Sequence, residues 1–328
     1  MGPKVSVNRT DIVADIHPCY VIDNFNNILT NSPSLICVLM YVFLALLSVI
    51  TICGNFLVII SIVYFKQLHT PTNYLILSLA AADLLVGIIV FPFSMVFSLS
   101  QCLYPEGLIC KVHGIFHISL STCSVLHLCC ISVDRYYAVC QPLTYTTKIN
   151  HYVVVIMILV NWGVSVLTGI FVIIVGLNVE ICEERCLIKV IIANTIGPIL
   201  SFYLPAIIML CIYLKIFLVA LKQERSIQNT KSGAAVSKME RKATKTLAVV
   251  LGVFLLCWTP FFLCIIFMPY INDSVPGSVL ETLFWLTLSN SMLNPFIYAF
   301  FYSWFRLAFK MIISGKIFGG DFANSKLH

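Results

Sequence analysis

The stretch ICVLMYVFLALLSVITICGNFLVIISIVY (36–64) runs for 29 residues without one charged side chain. About 20 mostly apolar residues cross the ~30 Å hydrocarbon core of a bilayer as a helix. No soluble helix needs an uninterrupted run of this length, so it reads as a membrane span. Six further stretches of similar character follow, at about Tyr74–Leu99, Cys110–Val139, Tyr152–Val175, Val190–Leu221, Leu247–Met268 and Val279–Phe301. The third, fifth and seventh carry His, Asn, Ser or Pro among the apolar residues. None shows the alternating pattern of a membrane strand, so the expected fold is an all-α seven-transmembrane helix bundle.

Composition agrees. Of 328 residues, 60% are hydrophobic and 10% charged, against about 25% charged in an ordinary soluble chain. That excludes a typical soluble enzyme, a disordered protein and a nucleic-acid-binding domain; the net charge of +6 has to be placed relative to a membrane first. The chain divides into a tail over 1–35, the bundle over 36–301, and an interfacial helix with a tail over 302–328. Around Trp304–Ile313, Phe305 and Phe309 share one face while Arg306 and Lys310 share another, the pattern of an amphipathic eighth helix lying in the interface.

Lys and Arg orient the bundle. With the N-terminus outside, only Lys4, Arg9, Lys111, Arg185 and Lys189 face out, and the other fifteen of twenty face in. Acidic residues run the other way, from Asp11, Asp15 and Asp23 to Glu183, Glu184, Asp273 and Glu281. A multi-pass plasma-membrane protein with an extracellular N-terminus is expected. The start, MGPKVSVNRT, shows no apolar signal region, so the first span is expected to serve as the anchor. Asn8-Arg9-Thr10 on the outer side is a candidate glycosylation site. Cys19, Cys102, Cys110, Cys182 and Cys186 fall on or near that oxidising side, where disulfides form, and spacing alone does not pair them.

Polar residues inside the spans hold the candidate chemistry. Asp83 is the one acid deep in a span, and a charge there is costly and usually functional. Asn55, Ser124, Asn290, Ser291 and Asn294 are polar at similar depths. Such oxygens can hold a small cation, or can tie helices together by hydrogen bonds; both readings stay open. Pro92, Pro205, Pro260 and Pro295 each interrupt a span and offer a kink or hinge.

The chain resembles the rhodopsin-like family of G-protein-coupled receptors. The resemblance is carried in order by Gly54-Asn55, LSLAAAD ending at Asp83, Cys110, Asp134-Arg135-Tyr136, Trp162, Pro205 and Tyr213, Cys257-Trp258-Thr259-Pro260, and Asn294-Pro295-Phe296-Ile297-Tyr298. Within that family it is similar to the trace amine-associated receptors, through YFKQLHTPTNYLILSLA (64–80), HLCCISVDRYYAVCQPL (127–143), ERKATKTLAVVLGVFLLCWTPFF (240–262) and NPFIYAFFYSWFRLAFKMIISGKIF (294–318).

That resemblance implies a receptor, not an enzyme, whose ligand sits between the outer helix halves and whose inner face opens to a G protein. It implies disulfides Cys110–Cys186 and Cys19–Cys182. Asp83, Ser124, Asn290, Ser291 and Asn294 would form a sodium pocket, with no other cofactor or metal. Arg135 would pair with Asp134 and Glu240 in the inactive state. Trp258, Phe254 and Pro205 would repack below the ligand, and Asn294, Tyr298 and Tyr213 would carry the change inward. The coupling implied is to a stimulatory or olfactory G protein that raises cyclic AMP, in response to an odorant. The rival reading, a transporter or channel, lacks inverted repeats and paired broken spans.

The departure from the family lies at the ligand. Amine receptors anchor the ammonium on an Asp seven residues beyond the third-span Cys, and here that position is His117. The fifth span reads Asn194-Thr195-Ile196-Gly197-Pro198 where a subset places an acid, and Leu288 stands where a Tyr often supports the amine. The expected lining is His117, His113, Asn194, Ser201, Trp258, Trp285 and Thr287. His113 and His117 lie one turn apart and could together hold an anion or a metal ion. The expected ligand is neutral or acidic rather than a simple monoamine.

Overall fold

The computed structural model describes residues 21–22, 29–30, 35–100, 108–177, 198–227, 234–267, 276–301 and 303–314. Seven long helical segments and a short interfacial one make up almost all of them. Six are long and apolar enough to cross a membrane by length and composition. The seventh, Gly277–Phe301, has the length, but Thr287, Ser289, Asn290, Ser291 and Asn294 thin its apolar surface. Those polar groups are buried against other helices, not turned to lipid, apart from the half-buried Ser289.

The spans are Leu35–Tyr64, Pro71–Leu85 continued by Phe91–Ser100, Leu108–Cys140, His151–Leu177, Leu204–Ile227 with the turn before it, Ala234–Phe267 and Gly277–Phe301. The second starts three residues before the sequence suggests. Thr70 caps it, its hydroxyl accepting from the Asn73 N–H at 3.3 Å, and Pro71 fills the first helical position, where its missing N–H costs nothing. The sixth reaches back to Ala234, well beyond the apolar stretch beginning at Leu247. The short helix Pro142–Lys148, between the third and fourth spans, is not visible in the hydropathy pattern. A two-residue antiparallel pairing of Val21–Ile22 with Leu29–Thr30 lies within the N-terminal tail.

The four prolines behave in two ways. Pro92 and Pro205 each follow a π-helical turn, at Val86–Val90 and Ile199–Tyr203. The widened turn gives the ring room beside the preceding carbonyls. Pro260 and Pro295 sit inside continuous helices.

The third span, 33 residues long, is about 50 Å at 1.5 Å per residue, so it overreaches the ~30 Å hydrocarbon core and must tilt or project beyond it. It packs against the second, fourth and fifth spans. Gly169 makes the close approach to the fourth possible: a methyl there would collide with the Ser119 hydroxyl and the Ile115 carbonyl. The central core runs from Val58, Leu75 and Leu79 through Val125 and Leu128 to Met209, Phe254 and Trp258. Ser303–Ile313 forms the interfacial helix. It buries Phe305 and Ala308 and exposes Arg306 and Lys310, with Ala308 seated on Phe65 and Leu68 at the inner end of the first span.

Candidate functional site

Two buried carboxylates anchor the polar interior. Asp83 is fully buried. Ser291 donates to one of its oxygens at 2.8 Å and the Asn294 amide to the other at 2.7 Å. The second and seventh spans are thereby joined through their polar faces. Asn55 extends the network from the first span, its amide donating to the carbonyls of Thr51 at 2.9 Å and Ser291 at 3.0 Å. Ser124, from the third span, turns its buried hydroxyl toward Asp83, without a partner at full hydrogen-bond geometry. The Asn290 amide nitrogen is likewise buried without a partner. A carboxylate with spare lone pairs next to an unused hydroxyl oxygen matches the hard oxygen donors that a small cation takes. Asp83, Ser124, Ser291 and Asn294 lie together and offer oxygen donors of the kind a small cation takes; Asn290 is buried on the same helix as Ser291 and Asn294.

Asp134 is the second carboxylate, also fully buried. Its Oδ2 accepts from Arg135 Nε at 2.8 Å and from the Thr72 hydroxyl at 2.9 Å, while Oδ1 accepts from the Tyr145 hydroxyl at 2.8 Å. Arg135 Nη2 also contacts both Asp134 Oδ2 and Thr72 Oγ1. Three residues from three places in the chain converge on one acid. Tyr145 lies on the short Pro142–Lys148 helix, and burial holds its phenol above the ordinary value for tyrosine. It therefore stays protonated and available as a donor. Neither Thr72 nor Tyr145 stands out in the sequence, because a lone Thr or Tyr gives no signal until the fold brings it to the acid.

Around this pair, the Tyr213 hydroxyl meets Ser132 at 3.1 Å, and Lys215 Nζ lies 5.9 Å from the centre of the Tyr136 ring. Tyr298 is buried in the central core. Glu240 belongs to the helix Ala234–Phe267, but its side chain is not among the described residues, so the expected clamp to Arg135 lies outside them. The same holds for Cys19, Cys182, Cys186, Asn8 and Asn194, and for the Cys110 side chain.

Above Asp83 an apolar cavity of about 360 Å³ opens between the third, fourth, fifth, sixth and seventh spans, within the size range of small-molecule sites. His117, Ser121, Thr122, Ser201, Trp258, Phe262 and Phe284 line it, and no acidic residue is among the described lining. Its floor is aromatic: Trp258 stacks on Phe262 at 6.0 Å, Phe262 on Phe202 at 4.5 Å, and Phe254 lies 6.5 Å below Trp258. His117 rests 4.7 Å from the Phe284 ring. Its Nε2 and the Trp258 indole N–H are buried with no hydrogen-bond partner.

Of the expected ligand-facing residues, His117, Ser201 and Trp258 line this cavity. His113 stands next to it, stacked on His117 at 6.4 Å and hydrogen-bonded to Ser94 at 3.0 Å. Trp285 and Thr287 are placed elsewhere. Trp285 packs on Phe91 at 5.7 Å, toward the second span, and the Thr287 hydroxyl donates to its own helix at the Phe284 carbonyl, 2.7 Å away. Phe284, one turn away, presents its ring to the cavity instead. No group of three or more metal-ligating side chains occurs among the described residues, so the His113–His117 pair has no third ligand there.

A bundle with these motifs is a receptor architecture, and comparison with known proteins agrees. Residues 54–298 match the family described as "7 transmembrane receptor (rhodopsin family)". The chain belongs to that family of G-protein-coupled receptors, and it is not an enzyme. Its relatives then place it more narrowly. It is 43% identical to trace amine-associated receptor 1 of Macaca mulatta, over 94% of this chain and 97% of that one. It is 44% identical to trace amine-associated receptor 4 of Rattus norvegicus, over 90% and 91%. It is 42% identical to trace amine-associated receptor 9 of Mus musculus, over 88% of each. The chain is a multi-pass membrane receptor of the trace amine-associated type.

Proposed function

We propose that this receptor binds a small neutral or acidic molecule from the extracellular side, in the cavity above Trp258. Binding shifts the bundle toward a state that activates a stimulatory or olfactory-type G protein and raises cyclic AMP. The observation that carries the ligand reading is a cavity whose described lining holds His117 and no acid. A protonated amine placed there would exchange its hydration for an imidazole, a few hydroxyls and aromatic walls, with no countercharge among the described lining, and burying an unpaired charge is costly. An oxygen acceptor or hydroxyl, by contrast, can meet the unpartnered His117 Nε2. The relatives are named for trace amines; the assignment to amines does not follow for this chain. An odorant role rests on the likeness to that receptor group.

The ligand acts only through its different affinity for the two states. Trp258 floors the cavity and adjoins Phe254, so a ligand pressing on the indole is coupled to the core beneath. Asp83, Ser124, Asn290, Ser291 and Asn294 hold a sodium ion in the resting state, and its loss accompanies activation. The excess of Lys and Arg on the inner side supports a plasma-membrane protein with its N-terminus outside.

The test is a cyclic AMP screen of amines, carboxylic acids and neutral odorants in cells expressing the chain. Acids or neutral compounds should be the stronger agonists, with His117→Ala reducing the response. Potent activation by a simple monoamine, unchanged in His117→Ala, would sink the ligand reading. Solute flux without nucleotide-sensitive G-protein coupling would sink the receptor reading.

A further inference from the structure

The outer half of the second span hangs on a break in its own hydrogen bonding. In the π-helical turn Val86–Val90 the Phe91 N–H returns to the Val86 carbonyl, five residues back. By the same spacing the Gly87 carbonyl would take the N–H of Pro92, which has none. Ser48 of the first span fills the gap: its buried hydroxyl donates to the Gly87 carbonyl at 3.0 Å. Gly87 permits the approach, since a methyl there would lie 2.8 Å from the Ile52 side chain.

His113 of the third span grips the same segment. Its Nε2 meets the buried Ser94 hydroxyl at 3.0 Å, and the ring also hydrogen-bonds the Val90 backbone. Val90 and Ser94 stand one turn apart, so the imidazole bridges the junction where the π-helical turn passes into Phe91–Ser100. The same ring stacks on His117 at 6.4 Å and 23°, and His117 lines the ligand cavity. Asp83 lies one turn below Gly87. Contacts thus run without a gap from the cavity, through His117 and His113, to the turn above Asp83. Contiguity alone does not couple two sites; an element with two arrangements is needed. The turn is one, because it can keep its five-residue bonds or relax to the four-residue bonds of regular helix. Side chains from two other spans hold it in the first arrangement.

We propose that His113 is a positioning residue of the ligand site: it fixes the His117 ring, and through its grip on Val90 and Ser94 it carries occupancy of the cavity to the turn above Asp83. The proposal rests on the reading of that cavity as the ligand site.

The experiment uses the full receptor in nanodiscs and reads amide hydrogen exchange over residues 84–96 by mass spectrometry. Ser121→Cys places a thiol in the cavity lining one turn from His117. Benzyl methanethiosulfonate forms a mixed disulfide there, releasing methanesulfinate, and the attached ring is the probe. The receptor without Ser121→Cys, treated alike, shows what the other thiols contribute. Attachment should shift exchange over 84–96 about five-fold, the worth of one ordinary hydrogen bond. Adding His113→Phe, which keeps a ring for the stack but no hydrogen bond, should abolish the shift. His113→Gln, whose amide both donates and accepts, should restore it, and Ser94→Ala should weaken it. No shift on attachment, equal shifts with His113→Phe and His113→Gln, or a shift indifferent to both His113→Phe and Ser94→Ala would overturn the route. Exchange is read without an agonist or a G protein. A His113-dependent shift with unchanged cyclic AMP would therefore support the route and count against the coupling reading. Agonist responses that survive His113→Phe in full would count against the route alone.

Discussion

The ligand cavity and the polar interior below it differ in one physical respect. Around Asp83 and Asp134 the carboxylate oxygens are met by donors at 2.7–2.9 Å from several spans and from the short inner helix. In the cavity the His117 Nε2 and the Trp258 N–H have no partner. Donors that converge on a buried carboxylate hold one arrangement, because each donor moved away leaves a buried charge unmatched, even where Ser124 and Asn290 keep polar atoms without a partner. An unsaturated cavity leaves its preferred arrangement to whatever enters it. On the function proposed above, the lower region sets the resting state and the upper region is where a ligand acts on it.

The largest effect should come from breaking the lower region. Asp134→Ala removes the acceptor of Thr72, Tyr145 and Arg135 together. Removing one partner of a buried pair costs about 3–5 kcal/mol, so the variant should lose thermal stability in detergent and show raised basal cyclic AMP. A melting temperature and basal signal equal to the unmodified receptor would show that the network does not hold the resting state.

Asp83→Asn is the next in size. An amide keeps the shape but loses the charge, and hydrogen bonds to a charged group are worth about 1.5–3 kcal/mol. Agonist affinity should stop responding to sodium and signalling should weaken. Retained sodium dependence would make the cluster a helix tie rather than an ion site.

Tyr145→Phe takes away one donor to Asp134 and leaves the ring. A loss of about 1.5 kcal/mol is expected, read as a fall of a few degrees in melting temperature, with basal activity between the unmodified receptor and Asp134→Ala. No change would show that Thr72 and Arg135 suffice for the acid.

The smallest change tests the upper region. His117→Asp supplies a countercharge to the cavity and should bring about a ten-fold gain in response to a simple monoamine, roughly 1.4 kcal/mol. Thermal stability should change less than in the variants of the lower region. An amine response already present, and not improved, would place the ammonium site outside this cavity.

How much of this could be read from the chain depends on the kind of signal. Long apolar runs reveal spans because the bilayer imposes length and composition together. The sixth helix was legible only from Leu247, since its first thirteen residues, Ala234 to Thr246, are polar and basic and hydropathy has nothing to grip there. Pro142–Lys148 escaped for the same reason. Asp83, Ser291 and Asn294 were foreseeable as a group through their resemblance to a known pattern. Thr72 and Tyr145 were not, because they reach Asp134 across 62 and 11 positions of sequence. Trp285 and Thr287 show the complementary limit: in a helix whose polar residues face several neighbours, knowing the span does not fix which side meets the cavity.

The π-helical turns carry a consequence for counting. Each inserts one residue that a regular helix would not contain, and each residue advances a helix by about 100°. Everything on the cavity side of Val86–Val90 and Ile199–Tyr203 is therefore rotated relative to an unbroken helix built up from Asp83 and Tyr213. Ser94, which meets His113, owes its facing to the first of these turns. Deleting one residue within Val86–Val90 would leave Asp83 in place and swing Ser94 away from His113. Positions around the cavity of this receptor can thus be matched with those of another only when both carry the same turns.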